Sequence, residues 1–486
     1  MLLCRRSFFA KGLERARNPR QWQQRSFNIY TRLFDDLEAR GFIHDSTGLE
    51  KLREAFSHGR RMVYAGIDPT ANALHVGHLI PLMCLLHFQI RGHQIIPLIG
   101  GATGLIGDPS GRSSERNRID PTEVEINVQA LTTSVERFYK NAFTYAEKRL
   151  GPNVKTYYPA NVSSNLQWFK DMSLLSFLQD IGFHARLNTM LNRESVQARL
   201  TSPQGISFTE FAYQLLQGYD FYHLHKHYNC IVQIGGSDQW GNILAGIDLI
   251  HKANPYEPVN LRQKAKDKYE AYIKQKAFGI TTPLLTAANG EKFGKSAGNA
   301  VWLDHQKTRP VDFYQFWLRT LDTDVEKYLK LFTLLGPAEI ERTLKLHQAN
   351  PEKRIAQRLL AGEVTTLVHG EVGLTKALAL TDVFYGTGLK TLVTEDIVQA
   401  MQGDPRLVMI TRQELMNTPV PQLLATYGLV GSTSQARELC WAGGLYVNDQ
   451  AFRDPHDRIR KQQLIDSRIA VFRAGKTRFL IFVVQN

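Results

Sequence analysis

Short apolar runs ending in glycine-rich or polar loops punctuate the first three hundred residues. Val63-Tyr64-Ala65-Gly66-Ile67 runs into the turn Asp68-Pro69-Thr70, and Gln94-Ile95-Ile96-Pro97-Leu98-Ile99 into Gly100–Gly111. Ile231-Val232-Gln233-Ile234 meets Gly235-Gly236-Ser237-Asp238-Gln239-Trp240-Gly241-Asn242, and the run at 278–285 meets Asn289–Ser296. Runs of this length bounded by turn residues predict buried strands. Between the first two lies an apolar stretch from Leu79 to Ile90, closed by Arg91-Gly92. Gly92 suits the left-handed residue that ends a helix. Pro81 sets the register, because only the first helical turn tolerates a missing N–H. That helix should therefore begin close to Gly77-His78. Strand, loop, helix, strand, loop opens a doubly wound α/β domain with a parallel sheet, whose ligands sit at the carboxyl ends of the strands.

The pattern elsewhere is helical. Residues 31–60 suit one or two amphipathic helices, and 120–225 read mostly as helices. Within them, Tyr213, Gln217 and Asp220 fall on one face at spacings of four and three. Such a stripe on an apolar helix either faces water or lines a polar pocket. Residues 310–405 form a separate helical domain, and 403–414 read as a linker or poorly ordered edge. From 415 to 486 the pattern changes to a short helix at 434–439 and a β-hairpin, with Arg468–Arg473 and Arg478–Val483 flanking a basic turn. The resulting division is 1–30, 31–309, 310–405 and 415–486.

Composition narrows the class. The 486 residues are 43% hydrophobic and 22% charged, which fits a folded chain rather than a disordered one. No apolar run reaches the roughly 20 residues of a membrane span, so no membrane role is expected. A net charge of +13 favours an acidic partner, nucleic acid first. The four cysteines are scattered, which argues against a disulfide framework or zinc knuckle and suits a reduced compartment. Residues 1–30 carry Arg5, Arg6, Lys11, Arg15, Arg17, Arg20 and Arg25 against one acid, Glu14. That composition matches a mitochondrial transit segment, with a basic RNA-touching tail as the alternative. The basic stretch near 255–275 is either a solvated insertion or a nucleic-acid contact.

The candidate chemistry is phosphate handling. His75-Val76-Gly77-His78 gathers two imidazoles and several unpaired amides at one helix start, an arrangement that favours anions. Lys292-Phe293-Gly294-Lys295-Ser296 sets two lysines three residues apart in a loop suited to holding negative charge.

These two segments resemble the paired signatures of class I aminoacyl-tRNA synthetases. Gly66-Ile67-Asp68-Pro69-Thr70, the Gly100–Gly111 loop, Phe208-Thr209-Glu210-Phe211 and Gly235–Asn242 narrow the likeness to bacterial and mitochondrial tyrosyl-tRNA synthetases, from about residue 31 to the C-terminus. Tryptophanyl-tRNA synthetases share the signatures. The Tyr64/Asp220 pair and the appended C-terminal module argue against that relative.

The resemblance implies tyrosine, ATP with Mg²⁺ and tRNA(Tyr) as substrates, no protein-bound metal or organic cofactor, a homodimer with Phe208 near its interface, and the mitochondrial matrix. It implies catalysis by Thr70, His75, His78, Lys292 and Lys295. Tyrosine would be bound by Tyr64, Asp108, Tyr213, Gln217, Asp220 and Gln239. ATP would meet Gly66, Asp68, His75, His78, Gly235, Gly236, Asp238, Lys292, Lys295 and Ser296. The helical domain resembles an anticodon-binding domain. The last module resembles a small α+β RNA-binding fold, with Arg437, Lys476 and Arg478 as phosphate contacts.

Overall fold

The computed structural model describes residues 33–57, 59–111, 114, 119–154, 159–253, 272–273, 275–285, 300–385, 394–401, 403–475 and 478–485. The first thirty residues, 254–271, the loop carrying Lys292, Lys295 and Ser296, and Lys476 lie outside them. The chain forms two compact units. One holds the described residues up to Ala300 together with Glu326–Arg342; the other holds Val301–Val325 and the residues from Thr343 on.

The first unit is built on a six-stranded sheet. Its strands are β1 (Asp45–Ser46), β2 (Met62–Ile67), β3 (Gln94–Ile99), β4 (Ser163–Ser164), β5 (Cys230–Gly236) and β6 (Phe278–Thr282). They lie in the order β1-β6-β5-β2-β3-β4, parallel except for β1 at the edge. Strand order reverses between β2 and β5, and such a switch point opens a crevice beyond the strand ends. The helix Leu79–Gln89, apolar on every side, is buried throughout apart from Pro81. Pro81 is its third residue, in the turn that needs no N–H. At its far end Gly92 adopts φ 81°, and His93 N–H returns to Phe88 O at 3.1 Å.

The helix Phe208–Tyr228 crosses the other face. Ser207 caps it by accepting from Glu210 N–H, and Asn229 ends it at φ 53°. Glu210 pairs with Arg199 at 3.0 Å, and both are almost fully buried. This explains the acid in Phe208-Thr209-Glu210-Phe211: it ties the helix Glu194–Leu200 to its neighbour. Tyr64, Phe221, Ile243 and Ile247 join the strands to the helices Phe208–Tyr228 and Trp240–Ala253 in one apolar core.

In the second unit, helix Pro310–Leu318 packs on Ile355–Tyr385, where Gln315 donates to Thr381 Oγ1 at 3.0 Å. A five-stranded sheet follows, in the order β7-β11-β10-β8-β9. Its strands are β7 (Leu407–Ile410), β8 (Leu445–Val447), β9 (Gln450–Ala451), β10 (Ile469–Ala474) and β11 (Arg478–Val484). Asn448 and Asp449, both at positive φ, make the two-residue turn between β8 and β9. The expected hairpin is present as β10–β11. The stretch 403–414, expected as a linker or poorly ordered edge, is not a linker but carries an edge strand. Leu407–Ile410 pairs in parallel with β11, and Ile410 is buried in the module's core. Among the described residues no helix is long and apolar enough to cross a membrane.

Candidate active site

The described candidates Tyr64, Asp68, His75, His78, Asp108, Tyr213, Gln217, Asp220 and Gln239 gather about β2, β3 and β5 and the loops that follow them. His75 precedes a short turn, Val76–His78, that leads into the helix Leu79–Gln89. Gly77 N–H donates to His75 Nδ1, and His75 N–H donates to His78 Nδ1, each at 3.1 Å. A nitrogen that accepts cannot carry the proton in a neutral imidazole. Both rings are thereby held in the tautomer with Nε2–H as donor. The rings lie 4.0 Å apart between centroids, tilted by 45°, at a helix start.

Asp68 follows β2. Its Oδ1 accepts from Thr103 Oγ1 at 2.9 Å and its Oδ2 from the Tyr213 hydroxyl at 2.8 Å. Gly100 makes this possible. A Cβ there would lie 2.3 Å from both Asp68 Oδ1 and Thr103 Oγ1. Thr70 is exposed just beyond, and Gly66 faces open space where a Cβ would meet nothing within 4 Å. Gly236 has the opposite reason, since its Cβ would press on Asp238 Oδ1 at 2.7 Å.

A second cluster forms around Asp108. Gln239 Nε2 donates to its Oδ2 at 2.6 Å, and Ser110 N–H to its Oδ1 at 2.9 Å. Asn242 Nδ2 lies 3.1–3.3 Å from Asp108 Oδ1, Ser110 Oγ, Gln217 Oε1 and Gln239 Oε1. Tyr213, Gln217 and Asp220 thus face the interior rather than water: Tyr213 and Asp220 are 3% exposed, and Gln217 joins this network. Burial first, and then the charges of Asp68, Asp108 and Asp220, push the Tyr213 hydroxyl well above its ordinary pKa. The Asp68 and Asp108 carboxylates beside this phenol make a pocket suited to an ammonium group.

Asp220 is the deepest of the three. Asn165 Nδ2 donates to its Oδ2 at 3.0 Å and Trp168 Nε1 to its Oδ1 at 2.8 Å. Asn165 is itself fully buried. It also donates to Thr103 Oγ1 and accepts from Ala102 N–H, so it locks the start of the β3 loop to the pocket. Nearby, the Tyr64 hydroxyl is buried with no hydrogen-bond partner among the described residues. Burial and then the Asp220 charge raise its pKa well above the ordinary value. A buried orphan hydroxyl costs roughly 1–3 kcal/mol, so its place calls for a ligand or water.

Asn165, Trp168 and Asn242 are functional candidates that the sequence reading missed. Asn242 closes a loop already singled out. Asn165 and Trp168 sit in a segment without strong periodicity, and only the fold brings them to Asp220. In the C-terminal module Arg437 is exposed on the helix Thr433–Trp441, and Arg478 starts β11 with Nη1 3.5 Å from Leu429 O. Among the described residues no group of three or more His, Cys, Asp or Glu side chains is placed to hold a metal ion.

A parallel sheet with two imidazole donors at its switch point and a buried acid pocket beside them defines a nucleotide-using α/β enzyme domain. A family model described as tRNA synthetases class I (W and Y) matches residues 57–385. A second, for the C-terminal domain of SYY-like tyrosine–tRNA ligases, matches residues 396–482. The mitochondrial tyrosine–tRNA ligase of Drosophila melanogaster is 40% identical over 456 residues, 92% of this chain and 93% of the relative. Tyrosine–tRNA ligase 1 of Bacillus subtilis is 40% identical over 451 residues, 93% of this chain and 99% of the relative. The crystal structure of a C-terminally truncated mitochondrial tyrosyl-tRNA synthetase from Aspergillus nidulans superposes with a TM-score of 0.64 at 33% identity. It covers 75% of this chain and 96% of that one. The chain belongs to the tyrosyl-tRNA synthetase family of class I enzymes and is a tyrosine–tRNA ligase.

The electrostatics of Asp220 carry a stability consequence. Burial raises its pKa to about 8, only partly opposed by the Asn165 and Trp168 bonds, and Asp68 adds to the rise. In the unfolded chain the carboxyl titrates near ~4. Folding then takes up a proton between these values, so stability is lost as pH rises from about 4 to about 8. Asp220→Asn, which stays neutral but loses one acceptor, should lack this pH-dependent loss, so its melting temperature should gain on the parent's as pH rises from about 4 to about 8. Thermal melts across that range check this; an offset that does not change with pH contradicts it.

Proposed function

We propose that the chain joins the tyrosine carboxylate to the α-phosphorus of ATP in this pocket, then passes the tyrosyl group to mitochondrial tRNA(Tyr). The observation that carries the reading is the unpartnered Tyr64 hydroxyl beside the buried Asp220 carboxylate. The substrate phenol accepts from Tyr64, supplying its missing partner, and donates to Asp220 as a third donor. Phenylalanine would leave the Tyr64 hydroxyl unpaired and offer Asp220 no third donor, a rejection worth about ten-thousandfold or more. Asp108, Tyr213 and Gln217 receive the ammonium, and Gln239 addresses the carboxylate side.

The first step makes one O–P bond and breaks another. A carboxylate oxygen attacks the α-phosphorus and pyrophosphate leaves. The nucleophile is already an anion, so the step calls for positioning and charge stabilisation rather than a base. His75 and His78 present Nε2–H to the phosphates, with Thr70 beside them. Gly66, Gly235 and Gly236 let adenosine lie against backbone, Asp238 takes the ribose, and Asp68 lines the same mouth while orienting Tyr213. Lys292 and Lys295, with Ser296, close over the leaving phosphates, and Mg²⁺ enters as the counter-ion of ATP.

The helical residues 310–405 and the basic C-terminal module, with Arg437, Lys476 and Arg478, hold the tRNA. Leu174, Leu175, Phe183, Leu187 and Phe208 are each more than 60% exposed. An apolar surface of this kind supports a homodimer; a monomer in sedimentation would remove that part of the reading. The acid-poor basic start of the chain and the mitochondrial Drosophila relative support import into the matrix. A mature chain that retains residues 1–30 in cells would count against import.

Pyrophosphate exchange should depend on tyrosine; a response to tryptophan, or to no amino acid, refutes the activity. Lys292→Ala with Lys295→Ala should lower kcat about a hundredfold or more with little change in tyrosine KM. Asp220→Ala should chiefly raise tyrosine KM and erase selection against phenylalanine. Equal effects on both quantities from both variants would overturn the assignment of roles.

A further inference from the structure

Trp168 reaches Asp220 from a single helical turn, Leu166–Phe169, whose residues are all partly exposed. A turn this short does not fix an indole by itself. What holds it is a row of rings on the helix Phe208–Tyr228. Tyr219, His223 and His227 recur every four residues, so they line one face. The His223 and His227 rings lie 4.4 Å apart, and Tyr219 lies 6.0 Å from His223. Trp168 lies flat on His223, at 4.3 Å between centroids and 17° between planes. Phe169 packs on Tyr219 at 5.4 Å. Two successive residues of the turn are thus clamped to two successive rungs.

His223 has no hydrogen-bonding task at its buried nitrogen, since Nδ1 has no partner among the described residues. Its contribution is the face of its ring. Burial, then His227 and Lys226, lower its pKa to about 4, so the ring is neutral near pH 7.

We infer that His223 is a positioning residue for tyrosine selection, fixing by stacking the Trp168 indole whose N–H aims the Asp220 carboxylate at the phenol. This rests on the reading of Asp220 given above. His223 touches no substrate; its effect reaches the phenol through two contacts, ring on ring and N–H on carboxylate.

Tyrosine and phenylalanine differ only at the phenol oxygen, so comparing them isolates this effect. In pyrophosphate exchange with the full chain, His223→Ala should raise tyrosine KM about three- to tenfold, the size of one aromatic pair. The KM values for ATP and phenylalanine, and kcat, should stay unchanged, so selection falls by the same factor. His223→Phe, which keeps the flat face without the nitrogens, should restore selection. Trp168→Phe, which removes the N–H, should lower selection whatever stands at 223. If Trp168→Phe lowers selection and His223→Ala does not, the role of His223 is refuted while the reading of Asp220 survives. If neither variant lowers it while Asp220→Ala does, the inference is overturned and the reading of Asp220 survives; if Asp220→Ala does not lower it either, that reading fails as well. If His223→Ala weakens both amino acids and ATP alike, the residue serves the fold alone and the inference is overturned.

Discussion

A carboxylate buried without a cation is the constraint on which this site depends. Among the described residues Asp220 is met only by the amide of Asn165 and the indole of Trp168. Burial raises its pKa, and two neutral donors oppose that rise less than a guanidinium would. The weakness is useful. A carboxylate saturated by an arginine would have little left for a phenol, whereas one held by two fixed dipoles keeps lone pairs for a third donor. The dipoles must then be placed accurately, and much of the surrounding architecture does that. Asn165 is fixed by Thr103 and by the backbone of Ala102, and Thr103 in turn by Asp68.

The same network joins the amino-acid pocket to the phosphate side. Asp68 stands one residue past β2, bonded to Tyr213 on one oxygen and Thr103 on the other. Seven residues further on, backbone amides fix the tautomers of His75 and His78. These contacts need the backbone to come very close, which is why Gly100 and Gly104 carry no side chain. A Cβ on Gly104 would lie 2.8 Å from the Pro69 ring. Rigid supports of this kind limit reorganisation when charge moves during reaction.

Much of this was legible in the sequence because its signals are local. Pro81 and Gly92 bracket one helix, and the apolar runs before glycine loops mark four strands of the parallel sheet. The period of the Tyr213/Gln217/Asp220 stripe places three polar groups on one face. What that stripe faces was not legible from periodicity alone. Other features depend on contacts distant in the chain. Leu407–Ile410 is four residues long and flanked by charge, and it becomes a strand only because β11, some seventy residues later, offers a parallel edge. Asn165 is 55 residues from Asp220 in sequence, so no spacing rule connects them. Asn242 stood inside a recognised motif, yet its role follows from four acceptors converging on one nitrogen.

The most direct test is a crystal structure of the chain with tyrosine bound. The phenol oxygen should lie within hydrogen-bonding distance of both the Tyr64 hydroxyl and an Asp220 carboxylate oxygen, with the Asn165 and Trp168 bonds to Asp220 retained. The ammonium group should lie among Asp108, Tyr213 and Gln217. A tyrosine bound with its ring reversed, or with its phenol meeting neither Tyr64 nor Asp220, would contradict the account.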